Sequence, residues 1–216
     1  MRGLPGPGRA PSDARHETFV QILPTPRLYA RFSRRKGNFM AGLLVTDHAE
    51  LDALGRDLLN AFDREAASEV MKKLDLVWAR LAVHIRAEHL HLFPALLDAS
   101  EGAAAGPSSQ EVEEALSKLR EDHNFFMREL AACVETVREQ AASVEATGLE
   151  SLEPVRRRVL GVFERLREHN RLEEEEVYHW PLALLSGSDR DRLEAAVGRE
   201  LENLPPRFAE HRDRFS

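Results

Sequence analysis

The sequence predicts an all-α protein, an up-down-up-down four-helix bundle with a short extra helix at its C-terminal end. Three observations carry this reading. From Met40 onward apolar residues recur at spacings of three and four, the period of a helix with one buried face. Few Gly or Pro fall inside these runs, and no segment reads convincingly as a strand. Long amphipathic helices joined by short loops favour antiparallel neighbours, whose facing side chains can build an interior site.

Helix A is expected over 41–65, beginning within the run AGLLVTDHAELDALGRDLL, and helix B over 68–99. The Gly/Pro/Ser-rich segment SEGAAAGPSS, 100–109, is a loop, and helix C follows over 108–146. Thr147-Gly148 separates C from helix D, 152–185, where Pro154 takes a first-turn position that needs no amide hydrogen. Ser186-Gly187-Ser188 stops D, and a shorter helix E spans 189–203. This divides the chain into a disordered basic extension over 1–39, the bundle over 40–187, and a C-terminal helix and tail over 188–216. The extension is either native or an overlong translation start.

A chain of 216 residues with 43% hydrophobic and 31% charged residues can bury one sizeable core. No stretch approaches the roughly 20 uninterrupted apolar residues of a membrane helix, and the N-terminus lacks the apolar segment of a secretory signal, so cytoplasmic residence is expected. The single cysteine, Cys133, lies in the apolar run AACV and reads as a small buried hydrophobe. It excludes a thiolate cage, leaving imidazole and carboxylate as the metal donors. Residues 1–39 carry eight basic and two acidic side chains, so the remainder has 22 basic and 35 acidic ones, net −13. That balance argues against nucleic acid as a main ligand, because phosphate binding needs a basic face.

The chemistry sits in a repeated pattern. Asp47-His48 opens it on helix A, and His84-Ile-Arg-Ala-Glu88 with Leu92-Phe93-Pro94 follows on helix B. A separation of four places His84 and Glu88 one turn apart on one helix face. Each motif alone also reads as a core or surface histidine. The order then recurs: Asp122-His123 on helix C, and His169-Asn-Arg-Leu-Glu173 with Val177-Tyr178 on helix D. In both halves an apolar pair stands eight and nine residues after the helix histidine.

Helical rise places these groups at similar depth. His48 lies about 17 residues before the end of A and His84 about 16 after the start of B; His84 lies about 15 before the end of B and His123 about 15 into C. The C–D comparison is poorer, with a mismatch of roughly 9 Å on the expected boundaries. Burying six such groups would be unfavourable by several kcal/mol unless they were satisfied, and a bound dication satisfies them. Imidazole with carboxylate suits iron, zinc or manganese, and two carboxylates among four histidines suit a two-metal site bridged by Glu88 and Glu173. The candidate metal ligands are therefore His48, His84, Glu88, His123, His169 and Glu173.

A competing register exists in Glu88-His-Leu-His91 and Glu176-Val-Tyr-His179, the Glu-x-x-His motif of ferritin-like carboxylate bundles. It is out of phase between the halves, so the repeat does not support it, although His91 and Glu176 could lie beside the site. Glu173 to Glu176 otherwise reads as a solvated charge run. Asp47 and Asp122 are either solvent-facing or positioned to orient imidazoles.

On Asp47-His48, His84xxxGlu88xxxLeu92-Phe93-Pro94, Asp122-His123 and His169xxxGlu173-Glu174xxVal177-Tyr178, spanning 42–186, the chain resembles the hemerythrin-like, or HHE cation-binding, family. The resemblance implies a four-helix bundle holding two non-haem irons with an oxo or hydroxo bridge, binding or sensing oxygen, iron or nitric oxide. Zinc and manganese are the lesser candidates. The oxygen carriers of this family have a second histidine four residues after the first on helix C, where this chain has Met127. They end with a histidine and an aspartate five apart, where this chain has His169 and Glu173 four apart. His179 stands where the first half has Pro94. These departures count against reversible oxygen carriage. Two uses follow as expectations: binding of a small diatomic ligand behind an apolar lining at Leu51, Met127 and Leu130, or a di-iron oxidoreductase or iron donor for iron–sulfur cluster repair. No general acid, base or nucleophile stands out beyond the ligands, which favours binding over catalysis. Oligomeric state has no signature in the sequence.

Overall fold

The computed structural model describes residues 39–64, 66–142 and 152–211. The extension expected up to residue 39 therefore lies outside the described residues except for Phe39, which opens the first helix. Among the described residues every regular element is helical and none is a strand. Helix α1 spans Phe39–Arg64 and buries Leu44, Leu51, Leu58 and Phe62 on one stripe. Helix α2, Ala67–Ala87, runs into a π-helical turn, Glu88–Leu92, and then into α3, Phe93–Ser100.

The single helix expected over 68–99 thus contains a wider turn, in which the Phe93 amide donates to the Glu88 carbonyl five residues back. Pro94 accounts for it. Its ring would collide with the Leu90 carbonyl in unbroken α geometry, and it has no hydrogen to give that carbonyl; one extra residue in the turn relieves both conflicts.

The loop to α4 uses left-handed Gly102 (φ 74°) and Gly106 (φ 96°). Helix α4, Ser109–Ala142, opens on a capping box: the Ser108 amide donates to Glu111 Oε2 (2.8 Å), and the Glu111 amide donates to Ser108 Oγ (3.3 Å). Residues 143–151, including the expected end of helix C and Thr147-Gly148, lie outside the described residues.

Helix α5 spans Glu153–Glu175 with Pro154 in its first turn. The continuous helix expected to 185 is interrupted instead. The chain leaves α geometry at Glu176, makes a 3₁₀ turn at Val177–His179, and resumes as α6, Trp180–Leu184. Pro181 lacks the amide hydrogen that an unbroken helix would direct at Val177, so the run cannot continue regularly through it. Helix α7, Gly187–Leu201, is capped by Ser186, whose hydroxyl accepts from the Asp189 amide, and a 3₁₀ segment follows at Pro206–His211.

Helix α1 packs on α2, α2 on α4, α4 on α5 and α5 on α1, while α7 lies against α1 and α2. The interior consists of two apolar clusters. One holds Leu51, Leu58, Leu74, Leu81, Phe126 and Leu166; the other holds Leu44, Leu92, Phe93, Leu119, Val177 and Leu193. On α1 and α4 membership switches across a histidine, with His48 between Leu44 and Leu51 and His123 between Leu119 and Phe126, and on α2 it switches between Ile85 and Ala87, just after His84. On α5 the switch falls between Leu166 and Leu172, the interval that contains His169. A polar layer is therefore sandwiched between two apolar ones. Cys133 is buried in the first cluster, and burial pushes its thiol up to about 11, as befits an inert core residue. No helix among the described residues is long and apolar enough to cross a membrane.

Candidate metal centre

All six candidate ligands are buried, and the structure brings them together. The Nε2 atoms of His48 and His84 face each other at 3.2 Å, and those of His123 and His169 at 2.9 Å. Glu173 lies between the two pairs, with Oε2 3.3 Å from His48 and Oε1 3.0 Å from His169. Glu88 Oε2 is 3.3 Å from His123 and 3.7 Å from His84. Two triads, His48/His84/Glu173 and His123/His169/Glu173, each converge closely enough to hold one ion and share Glu173.

The outer nitrogens show which tautomers the chain favours. His84 Nδ1 donates to Asp47 Oδ2 (2.8 Å), and His169 Nδ1 donates to Asp122 Oδ2 (3.3 Å). Arg80 and Arg165 hold those carboxylates from behind. His48 Nδ1 donates to Glu174 Oε1 (2.7 Å), and His123 Nδ1 meets His89 Nε2 at 2.9 Å. A carboxylate acceptor keeps a proton on Nδ1 and leaves the inward Nε2 with a lone pair for a metal.

Tyr178 adds a hydroxyl at the centre, its hydrogen shared between Glu88 Oε1 (2.8 Å) and Glu173 Oε2 (3.1 Å).

The donor set fits a cation. Two facing Nε2 lone pairs repel unless a proton or a cation sits between them. Glu88 Oε2 and Glu173 Oε1, both buried and both turned toward imidazoles, have no hydrogen-bond partner among the described residues. Two ligands about 2.1 Å from one ion at right angles lie about 3.0 Å apart, close to both imidazole separations.

In the metal-free chain protons must serve instead. Burial opposes charge on His48, but hydrogen bonds to Glu173 and Glu174 outweigh it and raise the imidazole to about 9. Burial and the neighbouring Glu173 carboxylate push Glu88 well up, which favours its protonated form. Burial also opposes charge on Glu173, yet His169 and His48 hold its carboxyl well below the ordinary range. Binding of a dication must expel the proton on His48, and it opposes protonation of Glu88. Uptake is therefore expected to release protons and to weaken as the pH falls. Titration calorimetry in buffers of different ionisation enthalpy checks this: heats independent of the buffer would contradict it.

Several groups escaped sequence reasoning. His89 and Glu174 each follow their helix histidine by five residues, and comparing the halves at that offset could have found them. Tyr178 counts by spacing as half of an apolar pair, and the signal that sets it apart is a hydroxyl at the position of Phe93. Asp47 and Asp122 each orient the histidine of the next helix rather than their own neighbour. The Glu-x-x-His register is not assembled: Glu176 and His179 are exposed, and His91 is only partly buried. Glu176 therefore does not back the cluster. Leu51 and Leu130 are buried in the first apolar cluster, with Met127 packed against it.

A helical bundle with a buried histidine–glutamate layer of this kind defines a cation-binding bundle. The model of the hemerythrin HHE cation-binding domain matches residues 40–180, and the chain belongs to that family. No curated protein and no solved structure shows significant similarity to it.

Proposed function

We propose that the chain holds a non-haem di-iron centre, with His48 and His84 on one ion, His123 and His169 on the other, and Glu88 and Glu173 bridging. In this reading it binds or senses a small diatomic ligand, oxygen or nitric oxide, or responds to iron itself. The carrying observation is the pair of facing imidazole couples with one carboxylate shared between them. The topology that suits it is the up-down-up-down bundle, supported by the two core clusters, which are met in opposite order on successive long helices. Cytoplasmic residence, with neither nucleic acid nor membrane as partner, belongs to the same reading.

Iron bound here supplies a redox couple and a coordination position for a small ligand. The chain's own groups do the positioning. Asp47, Asp122 and Glu174 keep protons on the outer imidazole nitrogens, Tyr178 steadies both carboxylates, and the apolar clusters exclude water on either side. The alternative is a di-iron oxidoreductase or an iron donor for repair of iron–sulfur clusters. It rests on Met127, which offers no imidazole from α4.

Protein produced in iron-replete medium is expected to contain about two irons per chain, the complement that a bundle of this kind carries, with charge-transfer absorption in the near ultraviolet. Purification without metal would sink the proposal. Exposing the reduced protein to oxygen separates the readings, since repeated turnover favours the oxidoreductase and stoichiometric uptake favours the binding protein.

A further inference from the structure

The repeat gives almost every group of one half a like counterpart in the other: Asp47 with Asp122, Arg80 with Arg165, His84 with His169. Two exceptions touch the layer: Tyr178, whose hydroxyl reaches the carboxylates of both halves and stands opposite Phe93, and the group behind the first histidine of each half. Behind His48 stands the carboxylate of Glu174, and behind His123 stands the imidazole of His89. A carboxylate can only accept, so it holds His48 in the tautomer whose Nε2 is free to ligate. An imidazole can donate or accept, so His89 leaves His123 a choice, and one of the two tautomers blocks its inward nitrogen. A carboxylate partner also raises the basicity of a ligating imidazole, which a neutral partner does far less.

A second difference runs the same way. Arg80 is 12% exposed and is held by Glu50 (2.8 Å) and by the carbonyl of Leu201 at the end of α7 (2.8 Å) while it grips Asp47. Arg165 is 46% exposed, and its guanidinium lies over Phe125 at 4.4 Å. Beyond these pairs, Asp47 meets His84 at 2.8 Å, whereas Asp122 meets His169 at 3.3 Å. Helix α7 thus closes the back of one half only. Glu173 does not offset the difference, because it offers one oxygen to each half.

We infer that the two cation positions are unequal: the His48/His84 position retains its ion, and the His123/His169 position exchanges, with His89 as the residue that makes it labile. This rests on the reading that the chain holds two ions.

The test uses full-length protein loaded anaerobically with ferrous iron and then mixed with excess of a ferrous chelator, while colour development is followed. Two phases of equal amplitude are expected. His89→Glu, which copies the Glu174 arrangement, should slow the fast phase alone by about 10- to 100-fold, the usual reach of a group behind a metal ligand. Glu174→His should accelerate the slow phase alone, with helicity unchanged in both variants. Release of both ions from the wild-type protein in a single phase would overturn the inference while leaving the di-iron reading intact. So would a His89→Glu variant, helical and loaded, whose two phases match the wild type. A chain that takes up no iron would overturn both.

Discussion

Glu173→Ala is expected to abolish metal loading at both positions, whereas His84→Ala and His169→Ala should each empty one. Glu173 is the one residue that belongs to both converging triads among the described residues, and its two oxygens reach His48 on one side and His169 on the other. Loss of the carboxylate removes an anionic donor from each ion and leaves Glu88 as the last carboxylate among the four imidazoles, too little negative charge to hold two dications. Each histidine variant removes a donor from one triad only. Metal analysis of the purified variants decides the matter, with helicity by circular dichroism as the control for folding. Full metal content in Glu173→Ala would place the site elsewhere.

The second large effect is on stability. The metal-free cluster buries two carboxylates and four imidazoles, with Glu88 Oε2 and Glu173 Oε1 unpartnered, an arrangement that weakens the fold until a cation satisfies it. Ferrous iron added anaerobically at about a thousand times its Kd should stabilise the protein by about 4 kcal/mol per position. For a chain of this length that raises Tm by roughly 8–16 °C per position. Thermal unfolding with and without the ion measures it, and an unchanged Tm would contradict cation binding by this layer.

The candidate layer was legible because the pattern occurs twice. One histidine on an apolar helix face carries little information, but the same histidine, then a histidine and glutamate four apart, in the same order in both halves, singles out six residues. Depth along antiparallel helices then made their meeting plausible. What stood behind them was not legible to the same degree. Asp47 could be seen, yet its target could not, because the imidazole it holds belongs to the neighbouring helix. Glu174 looked like part of a solvated charge run, and its approach to His48 spans 126 residues of sequence. The π turn at Glu88–Leu92 and the break at Glu176 have no signal in the hydrophobic period either. Both precede a proline, Pro94 and Pro181, whose demands on the preceding turn periodicity does not register.

By itself the sequence determined that the protein is helical, where its long helices begin to within a few residues, and which buried histidines and glutamates could share a layer. Periodicity and doubled spacing are local properties that any helix preserves. Only the tertiary structure decided which atoms face inward, which oxygens are left unpartnered, and that His89 rather than a carboxylate stands behind His123. Those features depend on the rotation of one helix against another, and contacts between helices have no fixed spacing in the chain.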